Sequence, residues 1–88
     1  SRAEALRHYT RAIEEVITKL EDAHERNPKS SDLPRALTAL KESTDRQLEI
    51  LRTLSPEMKD EAETRALASA LEQAEMANQG ARQGLKGK

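Results

Sequence analysis

Cysteine, phenylalanine and tryptophan are absent from this 88-residue chain, and tyrosine occurs once, as Tyr9. Without thiols there is no disulfide, no cysteine nucleophile and no thiolate metal site, and a reducing or an oxidising compartment is equally compatible. Without aromatic platforms, the base stacking used by single-stranded nucleic-acid binders has no support. Glycine is scarce, and Gly80, Gly84 and Gly87 all lie near the C-terminus, so there is no glycine-rich phosphate loop. No apolar run approaches the ~20 residues needed to span a bilayer, which predicts a soluble chain with no membrane insertion. The sequence opens Ser1-Arg2 rather than with Met, so a removed targeting segment is compatible with it, and the expected location is cytoplasmic or extracytoplasmic.

Net charge is missing as well. Fifteen basic residues nearly cancel sixteen acidic ones, and no third of the chain forms a basic arm: residues 1 to 27 carry five basic and six acidic groups, 28 to 55 five and four, and 56 to 88 five and six. This balance argues against nucleic acid and against a membrane-surface helix as partners. Leu, Ile, Val and Phe total only fifteen residues, a low value that goes with disorder when net charge is high. Here the charge is near zero and the apolar positions are periodic, so a folded chain is expected.

What is present is aliphatic: eleven Leu, three Ile, one Val and two Met, supplemented by thirteen Ala. A chain this short has interior enough for one domain. Two breaks divide it into three helices. In Asn27-Pro28-Lys29-Ser30-Ser31-Asp32-Leu33-Pro34 the residues before each proline are pushed out of the helical region, so one helix ends near Arg26 and the next starts near Pro34, with Ser31 or Asp32 as caps. At Ser55-Pro56-Glu57 the side-chain acceptor, the preset φ and the negative charge together predict the N-terminus of a third helix.

The first helix carries Leu6, Tyr9, Ile13, Val16, Leu20 and Ala23 at three-four spacing, with Ile17 broadening the stripe. The second carries Leu33, Leu37, Leu40, Thr44, Gln47, Leu51 and Leu54, whose two polar members need partners across the bundle or at its edge. The third offers Met58 and the ridge Ala62, Ala66, Ala70 and Ala74, then Leu67, Leu71, Asn78, Ala81 and Leu85. Alanine buries less area than leucine, so this helix is expected to be the weakest. Gly80 is expected to stop it near residue 79, leaving 81–88 as a flexible basic tail with Arg82, Lys86 and Lys88.

Short connections between helices of similar length favour antiparallel neighbours. The sequence therefore predicts an all-α, antiparallel up-down three-helix bundle with helices near 3–26, 34–54 and 56–79, forming a single domain over 1–80. A second arrangement pairs the first two helices as a hairpin that dimerises into a four-helix core, with the third helix outside.

Chemistry-bearing patterns are few. Glu21-Asp22-Ala23-His24 has the E-x-x-H spacing that puts a carboxylate and an imidazole on one helical face, and a homodimer would double it as di-iron carboxylate bundles do. Glu42, Glu49, Glu61, Glu72 and Glu75 fall off the apolar seams, so no cofactor or metal is expected, and Glu21 and His24 stand as minor metal candidates. His8 lies opposite the apolar stripe, and no serine has a histidine in a plausible relay, so no catalytic residue and no small-molecule ligand are indicated. Leu48, Ile50, Leu51 and Leu54 form an apolar cluster wider than one seam requires, the candidate patch for a protein partner or self-association. The functional expectation is a small non-enzymatic helical module, structural or protein-binding. The alternative is the homodimeric metal-carboxylate bundle built on Glu21 and His24.

Overall fold

A computed structural model describes residues 1 to 87. Helix α1 spans Arg2–Arg26, α2 spans Asp32–Arg52, a 3-10 turn spans Ser55–Glu57, and α3 spans Glu61–Lys86. The three helices form an antiparallel up-down bundle, and no strand occurs among the described residues. None of these helices is long and apolar enough to cross a membrane.

Local chemistry sets the ends. At α1 the Ser1 side chain accepts from the Glu4 N–H, which satisfies one free amide of the first turn. Ser31 occupies the cap position of α2 without a side-chain bond, while the Ser30 hydroxyl takes the Asp32 N–H. The opening of α3 differs from expectation. Ser55-Pro56-Glu57 forms a separate 3-10 turn, closed by the Glu57 N–H on the Leu54 carbonyl at 2.9 Å, and Met58 then runs extended. The cap of α3 is Asp60, whose carboxylate accepts from the Glu63 N–H at 2.9 Å while Glu63 accepts from the Lys59 N–H at 2.7 Å. This places the D-x-x-E pair of a near capping box five residues beyond the proline corner, with Met58 free to pack on the core.

The C-terminal boundary also moves. Helix α3 runs through Gly80 to Lys86, well past the expected stop near 79, so 81 to 86 of the expected tail are helical. Ala81 is buried and Leu85 half-buried, and such packing outweighs the weak helix preference of glycine. Lys88 lies outside the described residues.

The main departure is the rank of α3. It packs along both α1 and α2, whereas α1 and α2 approach each other at only a few positions. Helix α2 packs along α3 but meets α1 at only a few positions, and the helix expected to be weakest is the central one. Its buried positions Ala66, Ala70, Ala74, Ala77 and Ala81 explain why. Ala70 and Ala74 are fully buried, so the outer helices lie almost against the α3 backbone. Most of the large side chains come from outside: Leu6, Leu48 and Leu51 close over Ala66, Ala70 and Ala74, joined by Leu67 of α3 itself, and Ile13 and Leu40 close over Ala77 and Ala81. Ranking helices by their own side-chain area missed this, because an alanine ridge contributes by the area it lets its neighbours bury.

Between the two core clusters runs a polar link from α2 to α3. Thr44 is completely buried; its hydroxyl donates to the Leu40 carbonyl at 2.7 Å and accepts from the Asn78 amide at 2.9 Å. The same amide reaches the Asp45 carboxylate at 2.8 Å, and Arg82 closes the ring with bonds to the Asn78 carbonyl oxygen at 2.9 Å and to Asp45 at 2.7 Å. The hydrogen bonds from Arg82 and Asn78 hold the Asp45 carboxyl below its ordinary 3.8. Sliding α2 one turn along α3 would take the Asn78 amide from its acceptors on α2 and leave the buried Thr44 oxygen without its donor, so these bonds select the register.

Ala74→Leu, which forces a large side chain between helices already in close contact, is expected to destabilise by about 1–3 kcal/mol in thermal unfolding, whereas Gly80→Ala, whose new Cβ meets nothing within 4 Å, is expected to raise the melting point through a gain of about 0.5–1 kcal/mol. Asn78→Ala is expected to cost about 1–3 kcal/mol by removing the donor to the buried Thr44 hydroxyl oxygen and the link to Asp45 and Arg82. Because the folded pKa of Asp45 is depressed, its contribution is fully present above its ordinary value and disappears as pH falls through the lower folded value. Denaturant melts of wild type and Asp45→Asn are therefore expected to differ by a constant amount near neutrality and to converge in acid.

Candidate functional site

Because α1 and α2 meet α3 but scarcely each other, the cross-section is an open V, and the Cα trace measures 46 × 20 × 14 Å. Two openings result. The first is a cleft of about 690 Å³ at the end where α1 turns into α2 and where α3 finishes. Ile17 and Leu20 of α1 line it with Leu33, Leu37 and Leu40 of α2 and the small residues Ala77, Gly80, Ala81 and Gly84 of α3. Glycine shapes both the depth and the closure of this cleft. Nothing lies within 4 Å of a Cβ at Gly80, whereas at Gly84 a Cβ would stand 2.8 Å from Leu37 Cδ1, so Leu37 rests directly on the α3 backbone.

Glu21 and His24 line this cleft, with Glu25, and are exposed. Among the described residues no three His, Asp or Glu side chains converge as a metal site requires. The spacing that placed Glu21 and His24 on one face thus leaves them as two solvated donors, and every further ligand would have to come from another molecule.

The second opening is the seam between α1 and α2, a groove of about 300 Å³ lined by Arg2, Ala5, Leu6 and Tyr9 from one side and Gln47, Ile50, Leu51 and Leu54 from the other. Tyr9 crosses its floor. The ring packs on both core clusters and the hydroxyl donates to the Gln47 side-chain oxygen, so the two polar residues expected on these seams satisfy each other. Partial burial raises the phenol pKa above its ordinary value, which keeps the hydroxyl neutral and donating.

The four residues of the expected patch divide here. Leu48 and Leu51 are buried core residues, Leu54 is half-buried against the same cluster, and Ile50 stands 61% exposed at the seam. Helix geometry explains the division: Leu48 and Leu51 point at α3, while Ile50 is turned from them toward the open corner. Beside the leucine stripes, the exposed Ala5, Ala12, Val16 and Ala23 share one side of α1, and Ala36, Ala39, Ser43 and Ile50 share one side of α2; of these Ala5, Ala12, Ala36, Ala39 and Ser43 were not singled out in the sequence. Their spacings of seven, four and seven, and of three, four and seven, mark a second apolar face beside the leucine stripe. That signal was readable, but alanine and serine carry too little hydrophobicity to stand out beside leucine.

Tyr9→Phe removes the bond across the floor and leaves Gln47 unpartnered, with an expected loss of about 0.5–1.5 kcal/mol in chemical unfolding. An unchanged midpoint would mean that water replaces the hydroxyl at no cost. Comparison of the chain with protein-family models, with curated proteins and with solved structures finds no match in any of the three.

Proposed function

We propose that this chain is a non-enzymatic helical module that binds another protein through the seam between α1 and α2. The observation that carries the reading is the packing order: two helices are held apart on a third, leaving an aliphatic groove with the 61% exposed Ile50 on its rim. An exposed large aliphatic side chain beside an apolar groove, on a surface otherwise covered by charge, supports an interaction patch there. The polar groups in the groove are the Arg2 guanidinium, which donates to the Glu57 carbonyl at 2.7 Å, and the Tyr9–Gln47 pair, which bond each other. These are positioned to shape a surface rather than to move a proton or hold a leaving group.

Ile50→Asp tests the reading without disturbing the core, since an exposed position changes stability by only about 0.5 kcal/mol. Wild type and variant are used as parallel baits in quantitative affinity purification from the source cell, with circular dichroism melts of both. A protein retained by wild type and reduced about tenfold with the variant is the expected result. Identical captures from two equally folded baits would refute the seam as a binding site.

A further inference from the structure

The cleft at the end of the bundle where α1 turns into α2 shares no lining residue with the α1–α2 groove. Ile17, Leu20 and Leu37 belong to the apolar stripes of α1 and α2, yet here they are only half-buried, packed against the small cluster of Ile13, Leu40, Ala77 and Ala81. Helix α3 leaves the interior unfilled at this end, because it contributes Ala77, Gly80, Ala81 and Gly84, and its one large lining residue, Met76, is 56% exposed. We infer that this cleft binds a small amphiphile consisting of an aliphatic body and a single protonated amine.

Size selects a small molecule. The volume of about 690 Å³ falls in the range of roughly 300–1,000 Å³ typical of ligand pockets, whose walls are mostly apolar with a few polar groups at fixed places. Here aliphatic side chains of α1 and α2 form the walls, Leu33 and Leu40 buried and Ile17, Leu20 and Leu37 half-buried. An aliphatic body would remove from water the part of these side chains that the three helices leave exposed.

The α1 rows set where the charge sits. Ile17, Glu21 and Glu25 follow one another at four-residue spacing, as do Leu20 and His24, so one face of the helix changes from aliphatic to ionisable within a turn. The body of the ligand therefore lies toward Ile17 and Leu20, and its polar end toward Glu21 and Glu25.

Charge selects the amine. Glu21 and Glu25 have no ion-pair partner among the described residues, and no described Lys or Arg lines the cleft. Of the basic residues near it in sequence, Lys19, Arg26, Lys41 and Arg82 are paired with Glu15, Asp22 and Asp45, and Lys29, Arg35 and Lys86 lie outside the lining. A carboxylate head would meet two like charges, and a neutral head would leave both unanswered.

The test titrates the full chain with n-octylammonium, n-octanol and n-octanoate, which share a body and differ in charge, at pH 8, where free imidazole is neutral, and follows amide NMR shifts. Saturable binding of n-octylammonium about tenfold tighter than n-octanoate is expected, with shift changes at Leu20, Glu21, Leu37 and Gly80 rather than at Tyr9 and Ile50, and a difference that shrinks as salt is raised. The double variant Glu21→Gln, Glu25→Gln is expected to bring the three affinities together and to leave n-octanol binding unchanged. Because a Cβ at Gly80 meets nothing within 4 Å, Gly80→Leu puts a side chain into free space and is expected to weaken all three probes at least tenfold without lowering the melting point. Equal affinities in the wild type, a preference for n-octanoate, or no saturable binding of any probe would overturn the inference. So would n-octylammonium binding that survives Gly80→Leu, or shift changes that centre on Tyr9 and Ile50, since either would put the ligand outside this cleft.

Discussion

How near α1 and α2 can come to the backbone of α3 governs everything else in this bundle. Ala66, Ala70, Ala74, Ala77 and Ala81 set that distance, and Ala70 and Ala74 have no exposed surface left. With alanine at most of the buried positions of the central helix, and Leu67 the large residue it adds, leucine and isoleucine from the outer helices fill much of the interior across it. The chain thereby makes a dry core without a single Phe or Trp. The cost is that neither outer helix can give its large residues to both α3 and the other outer helix, and the pair stays splayed.

Close apolar contact alone would tolerate sliding, because alanine ridges look alike from one turn to the next. The buried Thr44 and the Asn78, Asp45 and Arg82 ring remove that freedom. The Asn78 amide meets its acceptors on α2, the buried Thr44 hydroxyl among them, in one alignment and loses them in its neighbours. On the other side, Tyr9 reaches across from α1 to Gln47 of α2 and touches both core clusters, spanning a gap that aliphatic side chains leave open. Both polar links have one end on α2, which ties that helix into the bundle from two directions.

The splay leaves a corner bounded by α1 and α2, opposite α3, which follows from the same small residues that seat the core and is lined near the N-terminus of α1 by Leu6, Tyr9, Ile50, Leu51 and Leu54.

Much of this was legible in the residues. Apolar periodicity, two proline breaks and the absence of long apolar runs led to three helices, an up-down bundle and an aliphatic interior, because these depend on local conformation and on total buried area. The demand that Thr44 and Gln47 find partners was legible too, since burying a polar group is costly wherever it occurs. The rank of the helices, the true cap at Asp60, the run of α3 past Gly80 and the exposure of Ile50 beside buried Leu48 and Leu51 were not. Each depends on which neighbour a face meets. A residue's own size and propensity are carried along the chain, but the area it lets another helix bury, and the side of a helix left without a neighbour, exist only once three helices share one interior.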